Sequence, residues 1–411
     1  MKLKCWLFLL TAVCIAPACH HENAGPADSQ RGCIVEESKT RFVADALKPY
    51  LDSGSLPGAI SILCNGKLQE TACLGWADVE RKIPMSMDRT FMQCSQTKGF
   101  CGVTIAMLVE EGKISLDDPV AKYLPEFKNL KVPGKDADGK KILVPAKNIL
   151  TIRMVMNHTG GFPFEIPTKI KKGWPALSLR DTAREAASRP LLFEPGTSTR
   201  YSNTGIDIGA AVTEVVTGKP WEVFLKERVL DPLGMKDTTF NPSEEQLSRA
   251  ISLYRLGKDQ KPQYLKAAPA MPLPHNGPSV HPSAGAGLWT TAADQLKFYR
   301  MLMNLGVGDN GVRILKEKTV KKLLAASSRP SKLGNYSLGL SVNFDAGTMG
   351  HGGAWGTSCT VNWRTKQLSL WVVQQRGNPR PWLKAKNAAA DKFFAAKFDD
   401  SETQAYTGRL K

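Results

Sequence analysis

Apolar and polar positions alternate most clearly towards the two ends of the chain. GAISILCNGKLQETACLGWAD, residues 58–78, is two strand-like runs broken at Asn65-Gly66, a pair that favours a tight hairpin turn. Between residues 336 and 375, YSLGLSVNF, GTSCTVNW and LSLWVVQQ are further β-rich runs separated by turn residues. In the middle the period becomes helical. One helix is predicted from Ser95, with Phe100, Val103, Met107 and Leu108 on one face and Gly112 as its stop. GIDIGAAVTEVVTG ends in a glycine stop, and PWEVFLKERVLDPLG has proline in its first turn and glycine at its end. AGLWTTAADQLKFYRMLMNLG is an amphipathic helix entered through Thr290 or Thr291, and NAAADKFFAAKF supplies a closing helix.

Strands at both ends with helices between predict an α+β protein. Its expected form is an antiparallel sheet with flanking helices, built from both termini, beside a mostly helical second subdomain. The domain is expected over residues 39–395, with a helical, loop-rich insertion at about 115–280 and a polar tail at 396–411. A cleft between the two parts would be the natural place for a site.

The first 38 residues stand apart. A basic start (MKLK), an apolar run (CWLFLLTAVCIA) and Ala16-Pro17-Ala18 form the pattern of a secretory signal peptide over 1–18, too short for a stable bilayer span. Residues 19–38 read as a polar tether. Cys19 directly after the cleavage pattern allows a membrane tether by lipidation. The expectation is a periplasmic or secreted protein. Seven of the nine cysteines lie outside the signal, without Cys-x-x-Cys spacing, which argues against zinc and thioredoxin-like sites. Cys64 and Cys73 have unequal offsets from the turn and should not face each other. Net charge is +17, or +15 once Lys2 and Lys4 are removed, from basic residues scattered along the chain. No nucleic-acid motif accompanies them, so they read as a solvated surface with some attraction for polyanions such as cell wall or anionic membrane.

Candidate chemistry is ordered along the chain. FMQCSQTKGFCG places Ser95 and Lys98 three apart. Alone the tetrad is a plausible accident, and Ser95 reads equally as a helix cap. Downstream, Tyr201-Ser202-Asn203 is the one Tyr-x-Asn in the sequence. His-x-Gly occurs at His158, His275 and His351, and only His351-Gly352-Gly353 lies between strand-like runs. His158 reads as a structural loop histidine, and Cys94 and Cys101 as small buried hydrophobes.

This ordered set resembles the serine β-lactamase and penicillin-binding-protein superfamily, most of all its class C-like branch of exported esterases, D-aminopeptidases and D,D-peptidases. That family carries Ser-x-x-Lys, then Tyr-x-Asn, then Lys-Thr-Gly or a His-x-Gly variant. MNHTGGFP, FEPGTSTRYSNTG, VLDPLGM, GAGLWTTAADQLKFY and MGHGGAWGT also look like family segments in family order, over residues 40–395. The resemblance implies Ser95 as nucleophile, Lys98 as its base, Tyr201 as proton shuttle and Asn203 as positioner of Lys98 and of a substrate carbonyl. It further implies an oxyanion hole from the amides of Ser95 and Ala354, at the His351-Gly352-Gly353 strand edge. No cofactor or metal is implied.

The expected activity is hydrolysis of a small ester, amide or D-amino-acid peptide through an acyl-enzyme, with peptidoglycan as a further conceivable partner. His351 in place of the third-motif lysine points towards an esterase or peptidase. A β-lactamase, a silent cell-wall-peptide binder and a tethered surface protein are the alternatives.

Overall fold

A computed structural model describes residues 41–66, 68–166, 177–259, 261–265, 281–377 and 380–396. The chain divides into two units, residues 1–36 and 37–411, and every described residue belongs to the second. The signal-peptide and tether expectations, Cys19, His275 and residues 397–411 of the C-terminal tail lie outside the described residues.

Helix α1 (Phe42–Asp52) leads into β1 (Gly58–Asn65), β2 (Leu68–Asp78) and the short β3 (Ile83–Pro84). The remaining strands of the main sheet come from the other end: β6 (Ser341–Asn343), β7 (Thr348–Gly352), β8 (Ser358–Asn362) and β9 (Gln367–Val372). Their order is β6-β7-β8-β9-β1-β2-β3, antiparallel throughout. The β1–β9 pairing, Ile60 opposite Val372 through Asn65 opposite Gln367, closes the two ends of the chain into one sheet.

β1 is buried along nearly its whole length because both sheet faces are covered, which is why it reads as a continuous apolar run. On one face α1 and the C-terminal helix α5 (Leu383–Ala395) pack Val43, Leu47, Trp382 and Phe393 against Leu63, Leu74 and Trp371. Cys64 pairs with Gln69 and Cys73 with Ile60, so the two cysteines are out of register, as their offsets predict.

Helix α2 (Thr97–Glu110) follows a 3₁₀ turn at Cys94–Gln96. The sequence suggests an amphipathic helix, but every residue from Thr97 to Leu108 is buried. Phe100 stacks on Phe298 of α4 (Ala292–Met303), ring centroids 3.7 Å apart, while Cys101 bonds towards Ile206 of α3 (Asn203–Thr217). A helix with neighbours on all sides needs no polar face. α4 is entered through Thr291, whose hydroxyl accepts from the Asp294 amide.

The 115–280 segment is not wholly helical. It contains a two-stranded hairpin, β4 (Lys131–Lys135) and β5 (Lys141–Pro145), and short strands at Tyr254–Leu256 and Pro262–Tyr264. Asp138-Gly139 makes the hairpin tip, with Gly139 at φ +79.

Candidate active site

The site forms where the start of α2, the start of α3, the end of β7 and the 283–288 loop converge. Cys94 holds a left-handed backbone conformation, φ +51, unusual without glycine. It is fixed by the Gln93 amide donating to Leu288 O (3.1 Å) and the Thr97 hydroxyl to Cys94 O (2.7 Å). The turn leaves Ser95 half-buried at the head of α2, with Lys98 one turn on.

Lys98 is fully buried, and its amine has three neighbours: Ser95 Oγ at 3.1 Å, Asn203 Oδ1 at 2.6 Å and Gly285 O at 2.6 Å. Burial pushes this ammonium down to about 7, opposed chiefly by the charge of Asp207. A neutral amine has two protons and one lone pair. Carbonyl oxygens can only accept, so both protons go to Asn203 and Gly285, and the lone pair faces the Ser95 hydroxyl. The Asn203 orientation is set independently, because its Nδ2 donates to Glu165 Oε1 at 2.9 Å. Ser202, not Asn203, caps α3, accepting from the Gly205 amide at 3.0 Å, which leaves Asn203 for Lys98.

Gly285 is held from behind by Asp207, one turn along α3 from Asn203 and nearly fully buried. Its carboxylate accepts from the Gly285 amide (3.0 Å) and the Ser283 hydroxyl (3.2 Å), and lies 3.6 Å from His281 Nε2. Burial alone would push His281 down, but hydrogen bonding and charge from Asp207 outweigh it and raise its pKa. A Cβ at Gly285 would stand 2.7 Å from Asn203 Cβ, so only glycine brings this carbonyl to the amine.

Tyr201 covers the pair, its ring centroid 4.6 Å from Lys98 Nζ. Desolvation pushes its phenol up to about 12, against a hydrogen bond with Ser95 that lowers it, so it stays protonated at neutral pH. His158 lies behind Tyr201, buried between it (4.5 Å) and Tyr336 (4.7 Å). Its Nδ1 accepts from the Ser202 amide at 3.3 Å, so the loop histidine is a wall of the site as well as a support. Burial keeps it well below the usual histidine range.

His351, on β7, stands 6.1 Å from the Tyr201 ring. Its Nδ1 donates to Gly352 O at 2.6 Å, leaving Nε2 to accept from the Tyr336 hydroxyl at 3.1 Å. Burial, then the charge of Lys98, pushes it down to about 4. His351 is therefore a neutral imidazole with both nitrogens engaged. Beyond it, Gly353 presses against the α2 entry: a Cβ there would meet Gln93 O at 2.6 Å and Thr357 Oγ1 at 2.2 Å. The amides of Trp355 and Ala354 face the Cys94 sulfur, one residue before Ser95.

The family described as Beta-lactamase matches residues 43–392. The chain belongs to this family. Its fold and chemistry are those of serine hydrolases built on the β-lactamase sheet-and-helix frame. Protein Rv1367c of Mycobacterium tuberculosis strain H37Rv is 29% identical over 80% of this chain and 88% of its own. Esterase EstB of Burkholderia gladioli is 30% identical over 59% of this chain and 64% of its own. The solved structure of EstCE1, a hydrolase with promiscuous acyltransferase activity, matches with a TM-score of 0.68 at 23% identity, over 85% of this chain and 97% of that one.

In this Beta-lactamase family member Ser95, Lys98, Tyr201, Asn203 and His351 come together, while Gly353 and Ala354, after Gly352 on the same strand end, meet the α2 entry at Gln93 and Cys94. Sequence reasoning missed Glu165, Asp207, Gly285 and Tyr336. Asp207 lies four residues after Asn203, a helical spacing that places it on the same face, and that was the available signal.

Proposed function

We propose that the protein is an exported serine esterase that hydrolyses small uncharged carboxylic esters through a Ser95 acyl-enzyme. The observation that carries this reading is the neutral, doubly engaged His351 where relatives can carry a lysine. A β-lactam or a peptide ending in D-alanine brings a carboxylate that calls for a cation. Lys98 is committed to Ser95, Asn203 and Gly285, and Glu165 adds a carboxylate at the cleft edge. The esterase relative supports the same reading.

In the mechanism, Lys98 takes the Ser95 proton as the oxygen attacks the ester carbonyl. The oxyanion is assigned to the amides of Ser95 and Ala354; the Ala354 amide lies against the Cys94 sulfur, one residue from Ser95, and Gly353 lets the strand end come that close. Tyr201, protonated at neutral pH, passes a proton to the leaving alkoxide. Water then cleaves the acyl-enzyme by the reverse sequence. No step calls for a metal or cofactor.

The test pairs p-nitrophenyl butyrate turnover with intact-mass measurement in the presence of a penicillin, for the parent and Ser95→Ala. The reading expects ester turnover that falls at least a thousandfold in the variant, with no lasting penicillin adduct. A lasting adduct on the parent alone would assign a penicillin-binding peptidase, and Ser95-dependent penicillin loss a β-lactamase. Neither turnover nor adduct would leave a silent binder.

A further inference from the structure

The β4–β5 hairpin is a surface the hydrolase reading does not use. Its register pairs Lys131 with Pro145, Pro133 with Leu143 and Lys135 with Lys141. Alternation puts these six residues on one face, and all six are exposed. Leu143 is 51% exposed at the centre of that face, with lysines towards both ends. The opposite face is anchored through buried Val132. The hairpin base is tied down by the Leu191 amide on Lys131 O and the Ala146 amide on Leu130 O.

The tip is equally well built. Asp136 Oδ1 accepts from the amides of Asp138 (3.1 Å) and Lys140 (2.9 Å), so this acidic side chain is spent on the turn. Residues 128–147 carry six lysines against two aspartates, a net +4. None of the six forms an ion pair among the described residues.

Edge lysines commonly serve to keep a strand from pairing with another chain. Protection of an edge explains the charges but not a half-exposed leucine flanked by two prolines at the centre of the charged face. A shallow apolar centre ringed by flexible ammonium groups matches a phospholipid surface. The apolar atoms enter the headgroup boundary, while lysine stems lie along it and their charges meet phosphates. We propose that the β4–β5 hairpin docks the protein on an anionic phospholipid bilayer. This surface is independent of the esterase reading, and its test uses no substrate.

The experiment is vesicle co-sedimentation of the full chain, with phosphatidylcholine alone or mixed with phosphatidylglycerol. The parent is compared with Lys131→Gln/Lys135→Gln/Lys141→Gln and with Leu143→Ser in the same full chain, so any binding by the N-terminal segment cancels. Thermal midpoints check folding. The triple variant should bind phosphatidylglycerol vesicles at least tenfold more weakly than the parent at low salt, since each lysine near an anionic surface contributes appreciably. Leu143→Ser should weaken binding severalfold, and 0.5 M salt should largely abolish the charge-dependent part. A Leu143→Trp variant should show a blue-shifted emission on adding phosphatidylglycerol vesicles only. Equal binding by parent and triple variant, or an unshifted tryptophan, overturns the proposal. Leu143→Ser indifference together with full competition by a soluble polyanion would reassign the face to polyanion binding, and that too overturns it.

Discussion

Lys98 gives the sharpest test of the site, because its protonation state is written into folding stability. In the folded protein its pKa is about 7, against an ordinary lysine value of 10.5. Between these values the unfolded chain binds one proton more than the folded one, so stability rises with pH through this window. Below about 7 both states carry the charge, and the folded state bears the full desolvation cost. Working the two titrations through gives a gain of about 2 kcal/mol between pH 7 and pH 9 from this residue alone. Lys98→Met removes the titration while retaining most of the volume. Absolute stability of the variant is not the readout, since it also strands the Asn203 and Gly285 oxygens. The readout is the pH dependence of the difference between the two proteins, measured by urea unfolding at several pH values. The parent should gain about 2 kcal/mol on the variant from pH 7 to pH 9. A difference that stays flat over that range would show an ordinary, charged lysine in the folded protein, and the base assignment would fail with it.

Two further outcomes follow from the same geometry. The kcat/KM for a nitrophenyl ester should climb through about pH 7 as Lys98 loses its proton, and Asp207→Asn should move that limb to lower pH, because the carboxylate favours the ammonium; pH–rate profiles of the two proteins check this. Gly353→Ala places a Cβ 2.6 Å from Gln93 O and 2.2 Å from Thr357 Oγ1. It should cost about 1–3 kcal/mol by overpacking and depress kcat more than it raises KM, read from urea unfolding and steady-state kinetics.

What could be read from the sequence depended on whether a role belongs to a side chain or to the backbone. Ser95, Lys98, Tyr201, Asn203 and His351 announce themselves because each contributes a distinctive functional group, and their order along the chain matches their convergence in space. Gly285 contributes a carbonyl, which every residue possesses, so nothing in its letter reveals that it holds Lys98. Its need to be glycine comes from Asn203 Cβ, a contact between residues 82 positions apart. Strands of the main sheet were legible where alternation or the Asn65-Gly66 pair marked them, whereas the β4–β5 hairpin was not read, and the burial of both faces explains the unbroken apolar run of β1. The sequence places Phe100, Val103, Met107 and Leu108 of α2 on one face, and the structure buries Gly99, Gly102 and Thr104 as well. These positions admit close neighbours, including the Leu338 backbone beside Gly102.

The third motif closes the electrostatic argument. A lysine at that position would set a second ammonium near Lys98; here the imidazole of His351 is pushed to about 4, and Lys98 is itself among the causes. Of these two groups only Lys98 carries a charge between pH 4 and 7. Above about 7, where Lys98 is free to act as a base, neither group is charged, and Glu165 leaves a carboxylate at the edge. Activity as a base and attraction for an anionic substrate are therefore opposed in pH. For a pair of nitrophenyl esters differing only in a terminal carboxylate on the acyl chain, the neutral ester should be preferred at pH 8, and its advantage should shrink at pH 6. Added salt should narrow the gap at pH 8, because an exposed carboxylate is screened. A preference independent of both pH and salt would mean that steric fit, not the missing cation, selects the acyl group.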